Sequence, residues 1–193
     1  MSERYPYGYG EAGPVAPPLI DVDEDLWLES WKAGDGPLYY QKVHQNRDYV
    51  RPASQDLADI TLEQAMQSMD MLVANIATGR TAGYKVMREI GDNNEMIGGI
   101  NLFRREGIAA GMGYWRVEHA GGEGYMTRAA QRLLRFAFDQ SPIGWDLQRV
   151  WLGINPTNQA SIRLATNIGA HVVMNPYVDL RAGEVMYEVV KGV

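Results

Sequence analysis

The residues best placed to do chemistry in this chain are Gly121-Gly122-Glu123-Gly124-Tyr125-Met126-Thr127-Arg128, where a strand-like run passes through glycines into an amphipathic helix. Glycines let the main chain approach an anion closely, and the N–H groups of a first helical turn, at the positive end of the helix dipole, point at it. The chemistry this implies is the holding of a phosphate; the plainer alternative is a tight strand-to-helix connection. No Gly-Lys-Ser or Gly-Lys-Thr follows, so the turn is not a nucleoside-triphosphate P-loop. Nor does it suit a dinucleotide fold, which needs a third glycine and an acidic residue about 20 positions on, at the end of a second parallel strand. A different phosphate carrier is required.

Composition narrows the partners. The 193 residues suit one compact domain, and 46% apolar with 22% charged residues is ordinary for a globular protein. No apolar run has the length of a bilayer span, and residues 1–18 lack the basic start and apolar stretch of a signal peptide, so a cytoplasmic protein is expected, off the membrane. Without cysteine there is no thiol nucleophile, disulfide or thiolate metal ligand, and His44, His119 and His171 are the only imidazoles, so no metal is expected. A net charge of −6 speaks against binding nucleic acid and for a cationic or amine-bearing partner.

The elements that must position the glycine turn follow from hydrophobic period. Residues 1–18, rich in Pro, Gly and Tyr, read as a flexible arm, and residues 19–193 as the domain. Leu26 to Trp31 alternates like a strand, Leu38 to Asp48 reads as a short helix, and Thr61 with Gln64 opens a longer one that Gly79 stops. Gly83 to Ile90, Met96 to Arg104 and Ala109 to Val117 are three strands joined by short polar turns, hence antiparallel neighbours. Behind the glycine turn, Met126, Ala130, Leu133, Leu134 and Ala137 form one helical stripe, with Arg128, Gln131, Arg132 and Arg135 on the other side. Gln148 to Ile154 is a strand, Asn158 to Ile168 a helix, and His171 to Met174 and Val185 to Val190 are closing strands. The class is mixed α/β (α+β).

In this order the segments resemble the GNAT N-acetyltransferase superfamily. Gly113-Tyr114-Trp115 followed by Gly122-Glu123-Gly124-Tyr125-Met126-Thr127 is similar to the family's strand and acetyl-CoA loop. Arg149-Val150-Trp151-Leu152 and Asn155-Pro156-Thr157-Asn158-Gln159-Ala160-Ser161 resemble its next strand and helix start. Asn46-Arg47-Asp48-Tyr49-Val50-Arg51-Pro52 resembles a segment of the branch that acetylates the N-termini of ribosomal proteins, the RimJ and RimL type.

The resemblance implies a mostly antiparallel central sheet flanked by helices, with a V-shaped splay between the fourth and fifth strands that takes acetyl-CoA. The backbone of Trp115, Arg116 and Val117 would hold the pantetheine arm, Gly122, Glu123, Gly124, Tyr125, Met126 and Thr127 the diphosphate, and Asn155 and Asn158 would assist. Asn158 is equally readable as a helix cap. Ser161 would protonate the departing thiolate, or is an ordinary first-turn serine; Asp179 and Glu184 would serve as bases, or are solvated turn carboxylates. The oxyanion donor would be a backbone N–H near Tyr114 or Trp115.

The expected reaction is direct attack by a primary amine, in the first instance a protein or peptide N-terminus, on acetyl-CoA within a ternary complex. A small-molecule amine (antibiotic, polyamine or amino acid) and a non-catalytic acetyl-CoA sensor are the alternatives, and a homodimer is compatible with all three. Glu123 stands where Lys or Arg is common and predicts a weaker hold on the diphosphate. Trp27, Trp31, Tyr39, Tyr40 and Tyr49 are either acceptor-side wall or core; His119 is either a phosphate contact or a loop residue with no role, Arg104-Arg105 reads as a solvated turn, and Met66, Met69 and Met71 are core filling or the lining of an adaptable acceptor site.

Overall fold

A computed structural model describes residues 11–105, 107–174 and 183–192. Among these residues eight strands form one sheet: β1 (Leu19–Asp21), β2 (Leu26–Ser30), β3 (Thr81–Ile90), β4 (Asn93–Arg104), β5 (Ala109–Arg116), β6 (Arg149–Ile154), β7 (His171–Val172) and β8 (Val185–Val190). Their order is β1-β2-β3-β4-β5-β6-β8-β7, antiparallel throughout except for the parallel pair β5–β6. Among the described residues six α-helices join them: α1 (Gly36–Gln45), α2 (Arg47–Val50), α3 (Gln55–Ala58), α4 (Leu62–Ala77), α5 (Tyr125–Phe138) and α6 (Gln159–Asn167), with a 3-10 turn at Glu118–Ala120. The splay expected between the fourth and fifth strands therefore lies between β5 and β6, because Leu19–Asp21 adds a first strand that three residues could not announce by alternation.

Local chemistry accounts for the element limits. Thr61 Oγ1 accepts from the N–H of Gln64 while Gln64 Oε1 accepts from the N–H of Thr61, a reciprocal cap that starts α4. Gly91, at φ +58°, turns β3 into β4. The helix expected over Leu38 to Asp48 begins earlier, at Gly36 with Pro37 in its first turn, and breaks at Asn46 into α1 and α2. The strand expected to run to Met174 stops at Val172.

The sheet's two faces are covered differently. The whole Met126, Ala130, Leu133, Leu134 and Ala137 stripe of α5 is buried in the main core with Leu28, Tyr84, Ile100 and Leu152. On the other face Trp31, Met69, Ile76 and Met96 form a smaller cluster under α4, with Leu38 and Tyr39 of α1 packed against it. Lys85 is buried between the two carboxylates that neutralise it, Glu29 at 3.2 Å and Asp35 at 3.0 Å. Arg104, expected in a solvated turn, instead lays its guanidinium over the Trp145 ring, 5.1 Å from the centroid.

Part of the segment expected as an arm is tied to this body. Three proline carbonyls in it accept hydrogen bonds from the body of the fold: Trp145 Nε1 donates to Pro14 O, Tyr84 Oη to Pro17 O, and the Ser30 N–H to Pro18 O, each at 2.9 Å. Residues 1–10 lie outside the described residues.

Because α5 carries the glycine turn, its core anchor should govern the whole domain. Leu133 is fully buried, and Leu133→Ala is expected to cost about 2–5 kcal/mol in urea-induced unfolding. A loss under about 1 kcal/mol would show that α5 does not depend on this contact.

Candidate active site

The ladder between β5 and β6 has three rungs, Ala109↔Arg149, Ala110↔Val150 and Gly111↔Trp151, and then stops. Beyond it β5 runs on to Arg116 beside β4, and β6 runs on to Ile154 beside β8. The register shows which backbone groups are left over. The Val117 N–H donates to Ile97 O at 2.9 Å, which makes Gly98↔Arg116, and by alternation Ile100↔Tyr114, non-hydrogen-bonded pairs of the β4–β5 ladder. The N–H and C=O groups of Tyr114 and Arg116 therefore face the gap. Those of Trp115 face β4, and Val117 is fully engaged, its carbonyl accepting from the Arg116 guanidinium at 2.9 Å. Of the three residues expected to offer backbone to an amide-rich chain, only Arg116 does so; Tyr114 joins it.

The glycine turn stands at the open end of the gap. Gly122 and Gly124 have φ of +91° and +74°, and a Cβ built at either meets nothing within 4 Å. Conformation rather than crowding requires glycine there, and the space above the turn is open to an anion. Gly124 caps α5 without a side chain, leaving the N–H groups of Tyr125, Met126 and Thr127 without intrahelical acceptors. Gly121 has a steric reason: a Cβ would come within 2.8 Å of the Arg116 guanidinium, which bonds the carbonyls of Val117 and Glu118.

Charge around the turn is arranged by Arg128, which belongs to the turn's own segment, and by Arg88, Asp23, Asp25 and Glu95, which the sequence did not point out. Arg88 and Arg128 lie over the Tyr125 ring, 5.3 and 4.9 Å from its centroid, and Arg128 pairs with Asp23 and Asp25. Glu123 is exposed, and His119 pairs with Glu95 at 2.9 Å. Arg88 is itself paired with Glu95, so neither arginine is a spare counter-charge for Glu123.

On the β6 side, Asn158 Oδ1 accepts the N–H of Ser161 at 3.1 Å and so caps α6, while Asn155 Oδ1 accepts from the N–H and hydroxyl of Thr157. Asn155, Asn158 and Ser161 line a cavity of about 1360 Å³ together with Tyr114, Trp115, Arg116, Met126 and Glu184. The Tyr114 hydroxyl is buried there beside Ser161. Burial pushes its pKa up to about 12, a rise the nearby Ser161 side chain opposes. Glu184 reaches the cavity's edge; Asp179 lies outside the described residues.

The same cavity continues to the opposite face of the sheet, past Trp31, Tyr39, Tyr49, Phe103, Met69 and Met71. Tyr39 makes edge contacts with both Trp31 and Trp115, at 5.8 Å in each case. Trp27 and Tyr40 take no part in this wall, Tyr40 stacking on His44 instead. The segment from Asn46 to Pro52 is fixed to the gap at two points: Asn46 Oδ1 accepts the Glu118 N–H at 2.9 Å, and the Arg116 guanidinium lies 4.7 Å from the Tyr49 ring centroid. Among the described residues no group of His, Asp and Glu could hold a metal ion, and no helix is long and apolar enough to cross a membrane.

A parted strand pair with free backbone groups, closed at one end by an uncapped helix and glycines, is the geometry of a site for a long, amide-containing, phosphorylated ligand. The family model for an acetyltransferase (GNAT) domain matches residues 25–171, and the chain belongs to that family. Its co-substrate is acetyl-CoA, and the fit is physical: free donors and acceptors along Tyr114 and Arg116 suit a pantetheine amide chain, and the turn suits a diphosphate.

Solved structures share the fold. A RimL ribosomal L7/L12 alpha-N-protein acetyltransferase in complex with coenzyme A superposes with a TM-score of 0.75 at 22% identity, covering 89% of this chain and 97% of that one. A microcin C7 self-immunity acetyltransferase, MccE, in complex with acetyl-CoA and AMP gives 0.73 at 15% identity, covering 91% and 98%. Mycobacterium smegmatis RimJ in complex with a CoA disulfide gives 0.69 at 16% identity, covering 93% and 87%. No curated protein matches the sequence.

Two substitutions separate the cradle from its scaffold. Gly124→Ala forces a Cβ into the left-handed region and is expected to cost about 1–2 kcal/mol of stability and to weaken acetyl-CoA binding measured by calorimetry. Asn158→Ala should lose about 1 kcal/mol through the α6 cap; Asn158→Asp, which keeps an acceptor for the Ser161 N–H, should restore most of it. Unchanged affinity in Gly124→Ala would remove the turn from the ligand site.

Proposed function

We propose that the protein transfers the acetyl group of acetyl-CoA to the free amino terminus of a protein or peptide, by direct attack in a ternary complex. The observation that carries this reading is a single cavity of about 1360 Å³ joining the β5–β6 gap to the aromatic wall at Trp31, Tyr39 and Tyr49. It has room for the arm of acetyl-CoA on the α6 side and for an extended acceptor on the α4 side. The neighbours that act on ribosomal-protein N-termini support the choice of acceptor, as does the segment from Asn46 to Pro52, which lines the acceptor side.

In this reading each residue acts through its place. The backbone of Tyr114 and Arg116 holds the pantetheine arm like a neighbouring strand, and the N–H groups from Gly122 to Thr127 receive the diphosphate. The N–H of Tyr114 faces the gap and is the donor positioned for the oxyanion that forms when the amine adds. Ser161 supplies the proton that the sulfur takes as the C–S bond breaks, and Glu184 at the cavity edge accepts the proton that the amine sheds. Asp179 stays a second candidate for that base. Trp31, Tyr39 and Tyr49 form an apolar, π-rich surface against which the first acceptor residues lie. No acyl-enzyme is required, since the chain has no cysteine. A cytoplasmic setting, where acetyl-CoA is made and new N-termini emerge, fits the reaction.

Release of free thiol from acetyl-CoA should be seen with peptides bearing free N-termini, with kcat/KM at least about tenfold above that for single amino-acid amides or polyamines. Ser161→Ala should lower kcat roughly a hundredfold while acetyl-CoA binds within a few-fold of wild type. Equal use of peptides and small amines would favour the small-amine reading, and acetyl-CoA binding with no turnover on either would favour a sensor.

A further inference from the structure

Two glycines of β5 have no local reason to be glycine. Gly111 and Gly113 lie inside the strand and outside the left-handed region, and a Cβ on either would meet only ordinary contacts, the Arg105 guanidinium at 3.7 Å and the Phe103 ring at 3.5 Å. Glycine within a strand gives up side-chain packing and costs chain entropy, and it marks places where a ligand comes close to the backbone. Both line the cavity. They alternate with Met112 and Tyr114, which belong to the main core, and so lie on the face of the sheet that α4 covers.

Across the ladder, Gly83, Asn101 and Gly113 stand side by side on β3, β4 and β5, with Phe103 in the row on one side and Trp115 in the row on the other. Asn101 Oδ1 is shut off from water and has no hydrogen-bond partner. It leans over Gly83, where a Cβ would come within 2.9 Å of it. The other end of the amide is therefore the part that lines the cavity. The inner end has no partner to lose, so a half-turn of the amide breaks no hydrogen bond and brings Oδ1 to the cavity as an acceptor.

We propose that Gly113 and Asn101 form the seat of the acceptor amine, the missing side chain of Gly113 leaving room for the nitrogen and Asn101 Oδ1 accepting one of its N–H bonds. This rests on the proposed function, in which the Tyr114 N–H holds the thioester oxygen. Gly113 is the residue before Tyr114 on the acceptor face, so an amine standing over it approaches the carbon of that thioester. One N–H of the amine points at Asn101, and its lone pair stays free for attack. That pair forms the C–N bond, the C–S bond breaks with its pair on sulfur, the amine's proton leaves to Glu184, and Ser161 supplies one to sulfur. Asn101 exchanges no proton. An amide oxygen orients an amine without the preference of a carboxylate for the ammonium form, which has no lone pair to attack with.

Steady-state kinetics with a peptide bearing a free N-terminus, in Gly113→Ala, Asn101→Ala and Asn101→Asp, test this. Gly113→Ala fills the seat without strain, and both alanine variants should lower acceptor kcat/KM about tenfold or more, with acetyl-CoA affinity by calorimetry within about twofold of wild type. Asn101→Asp should move the limb of the kcat profile that reports the bound amine up by about one pH unit, since a carboxylate holds the ammonium form. Acceptor kcat/KM within about threefold of wild type in either alanine variant, which is less than one lost hydrogen bond gives, overturns the proposal. So does an unmoved limb in Asn101→Asp, or a fall in kcat/KM matched by an equal loss of acetyl-CoA affinity. If wild type acetylates small amines and not peptides, the choice of acceptor fails, and the same variants assayed with a small amine decide the seat. If wild type acetylates no amine, the proposed function fails and the seat with it.

Discussion

The feature on which the rest of this structure depends is the end of the β5–β6 ladder after Gly111↔Trp151. A parallel pair inside a sheet would normally continue to exchange hydrogen bonds, and each N–H or C=O left without one in a buried place costs on the order of 1–3 kcal/mol. The protein keeps the two strands apart by giving each a full partner on its other side, β4 for β5 and β8 for β6. A bulge sits alongside: Ile97 is the extra residue where the β3–β4 register shifts, and its carbonyl is the one that takes the Val117 N–H. The break thus leaves Tyr114 and Arg116 facing open space, aims the end of β5 at the glycine turn, and sets the first turn of α6 opposite Tyr114.

Much of this was legible in the chain, and the reasons differ by element. The α5 stripe and the α4 capping box are local signals of period and cap chemistry, and both stand where they were read. Gly122 and Gly124 have the positive φ that a glycine turn implies. What the sequence could not express is direction. Which of Trp115, Arg116 and Val117 present backbone to the gap depends on the pairing parity between β4 and β5, which in turn depends on the Ile97 bulge. One inserted residue exchanges the set. The Tyr114 hydroxyl was missed for a related reason: 47 residues separate it from Ser161, and only the β5–α5–β6 crossover brings them together. The short elements β1, α2 and α3 gave too few residues for a periodic pattern, and Arg104 looked solvated because its partner, Trp145, is distant in sequence.

Solvent, rather than a counter-charge, eases the tension within the glycine turn. Glu123 read alone opposes a diphosphate, but the carboxylate is exposed, whereas Arg88 and Arg128 are held over Tyr125 in the first turn of α5. Both arginines are themselves braced by carboxylates, Glu95 on one side and Asp23 with Asp25 on the other, so their positions are fixed before any ligand arrives. The cradle is therefore built from backbone N–H groups and helix dipole, with cations near its base and one solvated anion at its lip. On the α4 side of the cavity the wall is aromatic, and the segment from Asn46 to Pro52 is fastened to the end of β5 through Glu118 and Arg116.

In the proposed function coenzyme A completes the interrupted sheet. Amide hydrogen exchange with and without saturating CoA measures this directly, because a strand-like ligand must protect the amides it pairs with. Slowed exchange is expected at Tyr114 and Arg116 and across Gly122 to Thr127, while Trp115 and Val117, already bonded to β4, should change little. Protection confined to other regions, or equal protection of all four residues from Tyr114 to Val117, would contradict it.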